Sequence, residues 1–280
     1  MLARHIPADR PAGRCSLAHD DTTRGRSVLR RFAVACVSLL LVLGVVAAAP
    51  ATAGDGVLRI ATEGAYPPFN FRNEAGELTG FDVDFARALC DTMNTRCELQ
   101  AEPWDSIIAG LLEQRYDAIV ASMSVTEARK QKVAFTDKYY STPMRFVARR
   151  GAFTSSDQLQ GGVLGAQAET TSYAFLTNGD PYGARVHAFA TMEEAYAGLL
   201  AGEVDAVLTD SLVAWDFLKS DAGQPFSFVG DPIYTDTEIA IAVRKEDEAL
   251  RRRFNKAIAL LIIDGTYQRI NQKYFPFSIY

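Results

Sequence analysis

Ala109–Ser124 reads AGLLEQRYDAIVASMS, and further along the chain Ala197–Leu212 reads AGLLAGEVDAVLTDSL. Each copy passes from a helix-like apolar run, through a short polar break, into a strand-like run. The shared AGLL and DA pieces are common in any helix–strand unit, so the likeness alone proves little. The endings are more telling. The first strand closes on Ala121-Ser122 and the second on Thr209-Asp210. A purely structural strand needs no polar group there, whereas ligands of open α/β sheets bind outside the carboxyl ends of strands. Equivalent strand ends in facing lobes are expected to bring Ser122 and Asp210 to one cleft from opposite sides.

Working outward, strand-like and helix-like runs alternate. VLRIAT, FDVDFARALCDTM, CELQA, SIIAGLLEQ and YDAIVASM precede the midpoint. VLGAQ, TSYAFLTN, RVHAFA, MEEAYAGLLAG and VDAVLTD follow it. This rhythm predicts βαβ units with right-handed crossovers and mainly parallel sheets. At about 100–150 residues per domain, the chain beyond its leader fits two modest lobes.

The leader is residues 1–53. Arg30 and Arg31 precede the apolar Phe32–Ala49, and ATA at Ala51–Ala53 supplies a small-x-small end. That order reads as a signal peptide cleaved after Ala53. A membrane anchor is the rival, since the run approaches the ~20 residues needed to span a bilayer. Cys36 lies too near the start of the apolar run for a comfortable lipidation site. Removing the leader's seven Lys/Arg and three Asp/Glu from totals of 29 and 34 leaves 22 basic and 31 acidic residues, a net charge of −9. Such a balance argues against nucleic-acid binding. Only Cys90 and Cys97 remain beyond the leader. In an exported chain they read as one disulfide, the alternative being two reduced core cysteines.

The candidate chemistry lies where strands end. Glu63 follows the first strand, and Tyr66-Pro67-Pro68-Phe69 makes a stiff aromatic loop. A carboxylate beside rigid aromatic faces suits a cation. Ser124-Val125-Thr126-Glu127 matches a capping box, so a helix is expected to begin at Ser124, with Arg129 in its first turns. Amides at a helix start together with a guanidinium suit a carboxylate. Glu169-Thr170-Thr171 marks a second strand-to-helix turn. Asp210 precedes SLVAWDFLK, so it either caps that helix or accepts an ammonium group in the cleft. No catalytic pattern emerges: His187 is the one histidine beyond the leader, and no GxSxG, GxGxxG or P-loop occurs. No metal or cofactor is expected, and a binder is favoured over an enzyme.

The segments ATEGAYPPF, GFDVDFARALC, WDSIIAGLL, DAIVASMSVTEAR, VAFTDKYY, GAQAETTSYA, VLTD and DGTYQRINQKYF together resemble periplasmic solute-binding proteins of polar amino-acid ABC importers. The likeness is greatest to lysine/arginine/ornithine-, histidine- and arginine-binding members. It implies a type II two-lobed α/β fold, each lobe a mainly parallel sheet flanked by helices. The first lobe is expected at 54–142, the second at 143–240, and a return segment at 241–280. Hinges are expected at Thr142–Arg145 and near Asp236–Ile241.

The resemblance further implies that Arg129 grips the ligand α-carboxylate with the backbone at Ser124 and Thr170. Asp210 and Ser122 would take the α-ammonium, with the Ala121 carbonyl assisting. Tyr66 and Trp104 would sandwich the side-chain stem, and Glu63 would meet its distal end. Partners implied are a small amino acid and the membrane permease of an importer, with the protein acting as a monomer. Three departures stand out: Glu63 where cationic binders often carry Asp, Ala121 in place of a serine, and Glu169 in place of a small residue. Glu169 either attracts a cation or points to solvent. The paired Cys90 and Cys97 favour the cationic subgroup. Opine binding, a dehydratase using Glu63 or Glu169 as acid or base, and a sensor acting through a separate membrane partner remain the competing readings.

Overall fold

A computed structural model describes residues 56–179 and 181–280. The expected signal peptide, its Arg30/Arg31 flank and Cys36 lie outside the described residues. In chain order, β1 (Leu58–Thr62) leads into a small antiparallel meander, β2 (Ala65–Tyr66), β3 (Asn70–Arg72) and β4 (Leu78–Thr79). Helix α1 (Phe81–Thr92), β5 (Cys97–Ala101), α2 (Ile107–Leu112), β6 (Ala118–Ile119), α3 (Glu127–Lys130) and β7 (Ala134–Ser141) follow. The chain then runs through β8 (Met144–Arg149), β9 (Val163–Gln167), α4 (Thr171–Thr177), β10 (Arg185–Phe189), α5 (Met192–Ala201), β11 (Ala206–Asp210), α6 (Ser211–Lys219) and β12 (Phe226–Ile233). It closes with β13 (Glu238–Val243), α7 (Glu248–Ile263) and α8 (Thr266–Tyr274).

Two five-stranded sheets result, ordered β5-β1-β6-β13-β7 and β10-β9-β11-β8-β12. The orders are equivalent position by position. In each, three strands run parallel and the other two pairings are antiparallel. The two copies of the repeated segment supply β6 and β11, the central strand of each sheet. The chain passes between the sheets at 141–144 and again at 233–238.

Helix α1 shows how local sequence builds this frame. Gly80 holds φ 116°, and a Cβ there would lie 2.3 Å from the Phe69 carbonyl oxygen, so only glycine fits the entry. Asp82 and Asp84 sit in the first turn, where the helix dipole favours negative charge. Phe81, Phe85 and Leu89 recur at helical spacing and are fully buried. Phe69 stacks on Tyr140 at 4.7 Å and Phe85 on Tyr139 at 4.9 Å, so the aromatic core joins α1 to the last strand of the first sheet. Each such buried ring contributes roughly 1.5–3 kcal/mol. A disulfide joins Cys90 at the end of α1 to Cys97 at the start of β5. No helix among the described residues is long and apolar enough to cross a membrane.

Candidate ligand-binding site

Four parallel strands end at one cleft between the two sheets. Beyond β1 comes Glu63, beyond β6 come Ala121 and Ser122, β9 ends on Gln167, and β11 ends on Asp210. All nine residues singled out from sequence line this cleft: Glu63, Tyr66, Trp104, Ala121, Ser122, Ser124, Arg129, Thr170 and Asp210. Gln167, Thr171, Ser172, Met192, Leu208 and Thr209 complete the wall.

Asp210 opens α6 yet makes no side-chain capping bond. Its carboxylate instead accepts a 2.8 Å hydrogen bond from the Tyr66 hydroxyl, across the cleft. Burial raises its pKa to about 6, against the opposing pull of the Tyr66 hydrogen bond and the Arg129 charge. Arg129 is perturbed the other way. Burial lowers its guanidinium to about 10, while Asp210 and Asp236 act to restore it. Each lies within the other's field, and the cleft holds both signs of charge.

Two expected details change. The capping box at Ser124 does not form: α3 begins at Glu127, and Thr126 is the cap, its Oγ1 accepting from the Arg129 amide at 3.1 Å. Ser124 pairs with Ile239 in an isolated bridge, which ties it to the first sheet two residues before the Thr126 cap. Its carbonyl instead accepts from Arg129 Nη1 at 2.9 Å. The strand expected over Tyr116–Met123 also shortens to Ala118–Ile119. Three residues beyond its end Ser122 adopts φ 52°, a left-handed conformation incompatible with a regular strand.

Glu169 is exposed and, like Ser122, left-handed, at φ 59°. Its contribution comes from the backbone. The Glu169 carbonyl accepts from the Trp104 indole at 3.2 Å and from Arg129 Nη2 at 3.1 Å. The Arg129 guanidinium lies over the Trp104 ring, 5.1 Å from its centroid. Thr170 caps α4, its Oγ1 accepting from the Tyr173 amide and donating to the Gln167 carbonyl.

Residues 58–277 match the family described as "Bacterial extracellular solute-binding proteins, family 3". The chain belongs to this family. An L-arginine-binding protein of Pseudomonas aeruginosa is 42% identical over 242 residues, 82% of this chain and 92% of that one. A histidine-binding periplasmic protein of Escherichia coli is 36% identical over 254 residues, 87% of this chain and 97% of its own. Among solved structures, an ancestral arginine-binding protein bound to arginine superposes with a TM-score of 0.74 at 34% identity, covering 79% of this chain and 98% of that one. The architecture is the type II periplasmic binding fold of these neighbours.

Sequence reasoning missed one prominent cleft group of this solute-binding protein. Gln167 Nε2 donates to Glu63 Oε1 at 2.5 Å across the cleft and to the Ala190 carbonyl at 3.1 Å. Burial drives Glu63 up to about 7, with the Gln167 hydrogen bond opposing. The signal was present: Gln167 ends the strand equivalent to β1, whose end carries Glu63. A polar residue closing an otherwise apolar VLGAQ strand is the same cue that drew attention to Ser122 and Asp210.

His187 stacks on Phe189 at the edge strand β10, away from the cleft. No cluster of potential metal ligands occurs among the described residues.

Proposed function

We propose that this protein binds a basic L-amino acid outside the cytoplasm and delivers it to the permease of an ABC importer. The observation that carries the reading is the charge layout of the cleft. Asp210 can accept from an α-ammonium and Arg129 can donate to an α-carboxylate, while a separate buried carboxylate, Glu63, waits for a third charged group. A neutral or acidic amino acid leaves Glu63 unmatched; arginine, lysine, ornithine or histidine does not.

Arg129 holds the α-carboxylate, with the backbone at Ser124 and Thr170 beside it. Asp210, Ser122 and the Ala121 carbonyl take the α-ammonium. Tyr66 and Trp104 flank the stem, and Glu63, steadied by Gln167, meets the distal cation. The relatives' printed names favour arginine or histidine over an opine. The protein acts as a monomeric binder without turnover, exported through its leader to the periplasm. Residues 54–142 and 241–280 form one lobe and 143–240 the other, closing about Thr142–Arg145 and the stretch near Asp236.

Mass spectrometry of ligand released by denaturing the purified protein, then calorimetry with an amino-acid panel, tests this. Arginine, lysine or histidine is expected to bind with micromolar or better affinity, on the order of −8 kcal/mol. Tighter binding of glutamate or leucine would overturn the reading, and so would chemical conversion of the bound amino acid.

A further inference from the structure

Behind Ser122 lies a second acidic residue that sequence reasoning left in a helix. Asp82 is fully buried in the first turn of α1 and does not line the cleft. Three groups converge on its carboxyl. Asn70 Nδ2 and Ser122 Oγ lie 2.8 and 2.9 Å from Oδ2, and the Tyr139 hydroxyl lies 2.8 Å from Oδ1.

Two backbone amides, which can only donate, set the direction of two of the three bonds in this network. The Gly64 amide donates to Asn70 Oδ1 at 2.8 Å, so the amide nitrogen of Asn70 must face Asp82. The Ser122 amide donates to the Tyr139 oxygen at 3.2 Å, so the Tyr139 proton also goes to Asp82. Burial raises the Asp82 pKa to about 6 while the three donors pull it back down, so at neutral pH the carboxylate is ionised and accepts only. The hydroxyl proton of Ser122 is thereby committed to Asp82.

We propose that Asp82 is a positioning residue that fixes Ser122 as a pure hydrogen-bond acceptor toward the cleft, so that the site selects ligands carrying an α-ammonium over analogues lacking one. A free serine hydroxyl can turn and donate to a carboxylate, hydroxyl or water. With its proton held from behind, Ser122 offers only lone pairs. An ammonium group satisfies them, whereas a ligand with hydrogen at that position leaves them buried and unpaired. The Ser122 backbone is left-handed at this point, and its amide is bonded to Tyr139 in the same network.

The inference rests on the proposed binding of a basic amino acid, and the test separates the two. Calorimetry on the full-length mature protein compares L-arginine with 5-guanidinopentanoate, which is arginine without its amino group, and L-histidine with imidazolepropionate. The quantity read is the ratio of dissociation constants within each pair. Asp82→Asn is expected to reduce the wild-type ratio about tenfold, by weakening the amino acid while sparing the analogue. A loss shared equally by both members of a pair would make Asp82 merely structural and overturn the inference. If circular dichroism shows Asp82→Asn unfolded, Ser122→Ala decides the matter, because it keeps the Asn70 and Tyr139 bonds to Asp82. An unchanged ratio in Ser122→Ala overturns the inference. Wild-type protein that binds none of arginine, lysine, ornithine and histidine overturns the proposed function itself, and the role of Asp82 with it.

Discussion

The two copies of the helix–strand segment agree wherever packing governs and diverge where the cleft begins. Gly110 and Gly198 are equivalent, and each yields to an aromatic neighbour. A Cβ on Gly110 would lie 2.4 Å from the Tyr116 hydroxyl, and one on Gly198 would lie 2.6 Å from the Phe189 ring. Leu111 and Leu199 are buried, while Leu112 and Leu200 beside them are exposed. Asp117 accepts from the Arg59 amide at the head of β1, and Asp205 accepts from the Val163 amide at the head of β9. Each aspartate thus satisfies an orphan donor where the neighbouring parallel strand starts. The endings part company. β11 runs five residues straight into α6 and delivers a carboxylate, whereas β6 stops after two, turns left-handed and delivers a hydroxyl backed by Asp82. The shared letters build a frame, and the unshared ones equip it.

The difference between the two endings can be broken by mutation. Asp210→Ala should cost about 3 kcal/mol of arginine affinity, the scale of a buried charged hydrogen bond, and Ser122→Ala only about 1 kcal/mol. Equal losses by calorimetry would mean that the two strand ends are interchangeable. Arg129→Lys should lose roughly 1.5–3 kcal/mol although charge is kept, because an ammonium cannot present two parallel donors to a carboxylate. An unchanged dissociation constant would remove Arg129 from the site.

A pH series sharpens the contrast between the two cleft carboxylates. Burial raises both pKa values, Glu63 to about 7 and Asp210 to about 6, so each carries a proton below its value. A cationic ligand must displace those protons. Arginine affinity should therefore rise with pH through 6 to 7 and level off above, by about tenfold between pH 6 and 8 for Glu63 alone. Glu63→Gln should flatten the upper part of that rise and leave the Asp210 part. Proton release is read from binding enthalpies in buffers of different ionisation heat; no release at pH 6 would contradict the assignment. The smallest effect tests the common frame. Gly110→Ala and Gly198→Ala should each lower stability by about 1 kcal/mol, overpacking outweighing the gain in helix propensity. Urea midpoints that move in opposite directions would show that the two glycines are not equivalent.

Most of the frame was legible in the residues. Period and alternation located each strand and helix quoted from the two halves, because apolar spacing is a local property. The left-handed turn at Ser122 was not legible. Ser122 is held by Tyr139 and Asp82, residues distant in sequence, and a serine shows no preference for left-handed backbone. The cap shifted from Ser124 to Thr126 for a related reason, since the bridge to Ile239 is a tertiary contact that overrides a local motif. Asp82 read as an ordinary first-turn acid, and only the fold puts Ser122 in front of it. Gln167 carries a local cue, a polar residue closing an apolar strand, and the strand-to-helix turn directly after it is the stronger signal in the sequence.

Four hydrogen bonds span the cleft: Tyr66 to Asp210, Gln167 to Glu63, and Trp104 and Arg129 to the Glu169 carbonyl. The first two use the very carboxylates assigned to the ligand's cations, so an incoming amino acid competes with the protein's own contacts. The last two land on a backbone carbonyl to which no ligand group is assigned. Binding as proposed would exchange the first pair of contacts and keep the second, so the affinity measured for any amino acid is the difference between the bonds it makes and the two it displaces.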